Sequence, residues 1–142
     1  MRRPVLQWIS ARDGVAAVEF AIVFPVFLLM MLGILAYGLY FAAAHSLAQL
    51  AADAARASVA GLTDHERAAI VRDHVRSAAS GYAFIQPAGI EVETGSVPGS
   101  ARQFRIVLRY DAADLPIWQM EPLLPLPART IERRIVVVKG GY

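Results

Sequence analysis

The chain has 142 residues, 56% of them hydrophobic and only 18% charged, and it contains no cysteine. That length suits one small domain with an appendage, and a soluble domain would carry about 25% charged residues. A disulfide framework and a thiolate metal site are excluded, and a net charge of +2 is too small for a nucleic-acid binder.

The apolar residues are concentrated near the start. From Phe20 to Ala44 the chain reads FAIVFPVFLLMMLGILAYGLYFAAA, without one charge. At about 1.5 Å per residue such a helix exceeds the roughly 30 Å of a hydrocarbon core. It is apolar on every side, which calls for lipid or other helices around it. A buried core helix is the alternative, but the rest of the chain is too short to wrap one of this length. Arg2, Arg3 and Arg12 precede the block, whereas Arg56 is the only basic residue in the fifteen that follow it, offset by Asp53. This asymmetry places the N-terminus in the cytoplasm and the C-terminal part across the membrane. Tyr37, Tyr40 and Phe41 suit the headgroup layer at the far end. The apolar run is too long for an ordinary secretory signal, despite Ala42-Ala43-Ala44 before His45.

Glu19 heads the membrane segment. A carboxylate facing lipid is unfavourable unless it finds a positive partner, protonates or reaches the interface, where a helix N-terminus also favours it. Gly14, Val15-Ala16-Ala17-Val18, Glu19 and Phe20 lie behind a short basic leader and ahead of AIVFPVFLLMMLG. This arrangement resembles the processing site of type IV prepilins, and most closely the TadE-like pseudopilins of the tight-adherence (Flp) pilus.

The resemblance implies that a prepilin peptidase cuts between Gly14 and Val15, making Val15 the new N-terminus. It also implies that Glu19, next to Phe20, assists assembly by pairing with the freed amine of a neighbouring subunit. Loss of the leader would remove three of the fourteen basic and one of the twelve acidic residues, leaving eleven of each. The implied partners are the lipid bilayer, the peptidase, other pilin or pseudopilin subunits and the pilus assembly platform. The implied location is the bacterial inner membrane, single-pass, with the C-terminal domain periplasmic or extracellular.

Within the span, Pro25 removes one helix hydrogen bond, which neighbouring helices can compensate. Ala17 and Ala21, and again Gly38 and Ala42, offer small faces for a second helix, although ordinary membrane composition also explains them.

Residues 45–60 continue the helix, with Leu47, Leu50, Ala54 and Ala57 on one side and Gly61 as a stop. Thr63 and Glu66 form a capping box for a second helix from about Asp64 to Ser80. Ala68, Val71, Val75 and Ala78 form its apolar stripe, with Glu66, Arg67, Asp73 and Arg76 mostly on other faces. From Gly89 the period changes to two. Ile90, Val92 and Thr94 form one strand, residues 95–100 a turn-rich connection, and Phe104, Ile106, Leu108 and Tyr110 the clearest strand. Glu91 and Glu93 are placed to face Arg105 and Arg109 across this hairpin.

Residues 115–127, LPIWQMEPLLPLP, hold four prolines and cannot be a central strand. They cover the open side of their own sheet or dock on a partner. Residues 130–139 return to strand. The expected fold class is therefore α+β: a long transmembrane helix continuing outside, a second short helix and an antiparallel sheet of about three strands. The expected division is a leader at 1–14, a membrane segment at 15–44, extramembrane helices at 45–81 and a β domain at 82–142.

No chemistry is legible. His65-Glu66 lacks the second histidine of a zinc motif, since position 69 is alanine, and His45 and His74 stand apart. Asp111 and Asp114 are explained by a strand end. No phosphate-binding loop or nucleophile elbow occurs, so no enzyme activity, cofactor, metal, nucleic acid or small-molecule substrate is expected. The rival reading is a permanently anchored periplasmic binding or accessory module with an uncleaved N-terminus.

Overall fold

A computed structural model describes residues 11–139. Arg2 and Arg3 of the expected leader lie outside the described residues. Helix α1 runs from Ala11 to Ser58, 48 residues without interruption, about 70 Å at the usual rise. It continues through Pro25, whose lost hydrogen bond does not end the helix. Helix α2 covers Asp64–Ala78 and passes into a short 3₁₀ turn, Ala79–Gly81. Strands β1 (Ile90–Val97), β2 (Ser100–Asp111) and β3 (Thr130–Val138) form one antiparallel sheet in the order β1-β2-β3. The architecture is α+β.

The two halves of α1 bury different amounts of surface. Side chains from Val15 to Leu35 are mostly exposed, and the apolar span is uncovered by the rest of the chain. Burial becomes complete at Ala36 and continues through Ala43, Ala44, Leu47, Leu50, Ala51 and Ala54. The alanines keep this face thin, so the sheet approaches closely. Phe104, Ile106, Leu108 and Tyr110, one face of β2, are at most 1% exposed and share a core with this stripe. Ala68, Val71 and Val75 of α2 complete the core, as their spacing predicts.

Both members of the predicted capping box are present: the Glu66 amide donates to Thr63 Oγ1 at 3.2 Å and the Thr63 amide to Glu66 Oε2 at 3.2 Å. Arg67 corrects the sequence reading, because it is buried rather than turned to another face. Its Nε donates to the Gly61 carbonyl at 2.9 Å, folding the guanidinium back under the α1–α2 turn. A Cβ on Gly61 would stand 2.8 Å from the Arg67 backbone nitrogen, so the turn requires glycine here for close approach.

The hairpin also differs from expectation. Residues 95–97 remain in β1, and the reversal narrows to Pro98-Gly99, with Gly99 at φ 81 as a type II turn demands. Residues 101–103 of β2 have no partner in β1 and are absorbed by a register irregularity between Ser96 and Val97. On the outer sheet face Glu93 binds both Arg105 (3.3 Å) and Arg109 (2.9 Å). Glu91 makes no ion pair among the described residues, and Glu132 of β3 takes the other side of Arg109 at 2.9 Å. Glu91 does stand opposite Arg109 in the register, but β3 supplies a competing carboxylate on the other side.

Candidate functional site

Gly14 and Val15 lie in the first turns of α1, and both are exposed. A Cβ on Gly14 would meet nothing within 4 Å. Glycine weakens a helix by about 1 kcal/mol relative to alanine. Gly14 is therefore a locally weak point of the helix, beside the Gly14–Val15 bond.

Glu19 is exposed one turn further along, flanked by Val15, Val18 and Ile22 on one side and by Ala16, Phe20 and Val23 on the other. It makes no ion pair among the described residues. Phe20 stacks on Phe24, ring centroids 5.2 Å apart, and so belongs to the apolar wall of the rod. Ala17 and Ala21 are exposed on a different side of the helix from Glu19, about 160° away at 100° per residue. The structure thus separates the acidic site from the first small-residue face. Gly38 is exposed with open space around it, on the far side of α1 from the buried Ala36, Ala43 and Leu47. Its companion Ala42 is half-buried, which narrows that second face to Gly38.

Three long-range polar ties lock the outer domain, two of them to α1. The Tyr82 hydroxyl donates to Asp53, which also pairs with Arg56. Asp64 accepts from Lys139 at 2.7 Å and from Ser96, joining the start of α2 to the hairpin and to the end of β3. Tyr37 donates its hydroxyl to the Pro125 carbonyl at 2.6 Å, although 88 positions separate them. No local pattern encodes such distant partners.

These ties predict the pH response. The Tyr82 hydrogen bond, with Arg56 beside it, holds the Asp53 carboxyl below its ordinary 3.8. Lys139 and Ser96 do the same for Asp64, and the Arg109 hydrogen bond lowers Glu132 from 4.5. A carboxyl lowered in the fold contributes stability above its unfolded pKa and loses it as pH falls through the folded one. Tyr82 is raised above 10.0 by its bond to Asp53, so its contribution persists below that value and disappears as pH rises beyond it. Thermal melting of the detergent-solubilised full chain should be level from about pH 5 to 9 and decline on both sides. A melting temperature that rises on acidification below about pH 4 would contradict these assignments.

His45 bonds Gln49 across one helical turn at 3.0 Å. Among the described residues no group of three histidines and carboxylates is arranged to hold a metal.

Residues 14–56 match the family model described as TadE-like protein, so the N-terminal helix of this chain is TadE-like. The match lies wholly within α1 and does not extend to α2 or the sheet. No curated protein and no solved structure matches the chain.

Proposed function

We propose that this chain is a minor pseudopilin of a tight-adherence (Flp-type) pilus, anchored by α1 in the inner membrane and released from its leader by a prepilin peptidase. The observation that carries the reading is the coincidence of the TadE-like match with an exposed Gly14–Val15 bond and an exposed Glu19 on one apolar rod. The chain is the substrate of the peptidase and performs no catalysis itself. Residues 1–14 act as the leader, and their arginines hold that end in the cytoplasm. The remainder divides into a membrane rod and an external domain built on the distal half of α1.

Cleavage creates an amine at Val15, one helical turn from Glu19 in the same chain and open to a neighbour's Glu19 in an assembly. Within low-dielectric surroundings, leaving either charge unpaired is far worse than pairing it, so the pair selects the register of adjacent rods. Ala17, Ala21 and Gly38 provide close-approach positions for neighbouring helices, and Pro25 gives the rod a point of local adjustment.

N-terminal sequencing of the protein from cells that hold the peptidase is expected to begin at Val15. Gly14→Leu is expected to leave only the longer precursor, because a branched side chain then occupies the position before the cut. An intact Met1 in the wild type under these conditions would replace the pseudopilin reading with that of a permanent anchor.

A further inference from the structure

We infer that the loop joining β2 to β3 seats its tip, residues 121–125, in the interfacial layer of the bilayer leaflet on the sheet side, so that the chain meets the membrane at a second point. This goes beyond the pilus reading and rests only on α1 being the membrane span.

Position is the first argument. The lipid-length stretch Val15–Leu35 covers about 30 Å, the thickness of the hydrocarbon core. Tyr37, two residues further, donates to the Pro125 carbonyl and so ties the loop at the height where the rod leaves the hydrocarbon. Tyrosine at that level is itself an interfacial residue.

The loop is also divided amphipathically. Ile117 is fully buried, and Leu115 and Trp118 pack on the domain's own core. Leu123 is 64% exposed. The single charge of residues 115–127, Glu121, is paired with Arg129 at 2.7 Å, and the Arg129 guanidinium lies 5.1 Å from the centre of the Trp118 ring. An aromatic ring with a basic group above it is a pattern suited to the headgroup layer.

The backbone permits an apolar setting. Irregular chain is normally barred from apolar surroundings because its free N–H groups lose their water. At this tip none is left over. Pro122 and Pro125 have no N–H, Glu121 donates to the Trp118 carbonyl at 3.2 Å, and Leu123 and Leu124 both donate to Met120 at 2.9 Å. Remaining carbonyls need partners, which the hydrated interface supplies and the hydrocarbon core does not. The tip therefore belongs in the interfacial layer. Lipid is the occupant, because the tip is continuous with the exposed apolar wall of α1, the surface that lipid already covers.

The experiment uses the full chain in proteoliposomes. Trp8→Phe leaves Trp118 as the only tryptophan and the loop unchanged. Its fluorescence should be quenched more by lipids brominated near the headgroup than by lipids brominated near the chain ends. Because the chain has no cysteine, single labels can be placed at Leu123→Cys, at Ala101→Cys on the remote hairpin and at Val26→Cys in mid-span. The label at 123 should be protected from aqueous iodide about tenfold relative to that at 101, as expected when a leucine-sized apolar group is buried.

Equal iodide access at 123 and 101, with Trp118 unquenched by either lipid, would overturn the inference while deep quenching at 26 still upholds the span. Absence of deep quenching at 26 would remove the span and this inference with it. Protection at 123 that appears only as protein density in the vesicles rises would identify a second copy as the occupant, and would also overturn it.

Discussion

Glu19→Ala is expected to leave the chain in the membrane and nearly abolish its incorporation into filaments. Insertion depends on the apolar side chains between Val15 and Leu35, none of which the substitution changes. Removing a carboxylate from the lip of that stretch can only ease insertion, since charge in a span is unfavourable by up to several kcal/mol according to depth. Assembly responds in the opposite direction. The proposed partner, the Val15 amine of a neighbour, loses its counter-charge between closely packed rods. Removing one member of a desolvated pair costs about 3–5 kcal/mol, which is a factor of roughly 100 or more in subunit association.

Glu19→Gln separates charge from size: it should fail nearly as completely as alanine, whereas Glu19→Asp, one methylene shorter, should retain partial output. The measurement is the amount of subunit in the sheared-filament fraction against that in the membrane fraction. Normal filament output from the glutamine variant would show that Glu19 acts without its charge and would remove the pairing mechanism. It would leave the proposed cleavage between Gly14 and Val15 untouched, which is read separately from the N-terminus.

How much of this was legible in the sequence depends on the range over which each feature is encoded. The rod is written in uninterrupted composition from Phe20 to Ala44, and β2 in the alternation of Phe104, Ile106, Leu108 and Tyr110, whose inward residues are all buried. The capping box of α2 is a four-residue code, and both of its hydrogen bonds form. Arg67 was misread because a helical stripe sorts residues by face, whereas its acceptor is a backbone carbonyl in the preceding turn. Glu91 stands opposite Arg109 as the alternation predicts, but the guanidinium pairs with Glu93 and with Glu132 of β3, a strand that no local pattern places beside it.

The loop at 115–127 shows why neither of its two readings was sufficient. Ile117 and Trp118 cover the domain's own core, and Leu123 does not. What divides them is the anchor between Tyr37 and Pro125, a contact of 88-residue separation that no local pattern can carry.

Leu50→Ala is expected to unfold much of the external domain without releasing the chain from the membrane. Leu50 is fully buried on the sheet-facing side of α1, in the same core as Phe104, Ile106 and Val71. Truncation of such a leucine costs about 2–5 kcal/mol through lost transfer energy and the cavity left behind. On α1 the same buried face carries Leu47, Ala51 and Ala54, mostly small side chains, so relaxation into the space is limited and the cost falls within that range. A small domain has a total stability on the order of 5 kcal/mol, so the substitution removes most of it.

Denaturant unfolding followed by Trp118 fluorescence in the Trp8→Phe background should show a midpoint lowered by half or more, with membrane fractionation unchanged. The opposite dissociation is expected of charges placed in the span: Val26→Arg should impair insertion while the domain core retains its packing. These two variants together test whether insertion and folding draw on separate halves of one 48-residue helix, with the change between them at Ala36. A Leu50→Ala protein with an unshifted midpoint would place the stability of the external domain outside the α1–sheet core. The Asp53 and Tyr37 ties would then have to hold the domain on the rod by themselves, which exposed polar contacts are too weak to do.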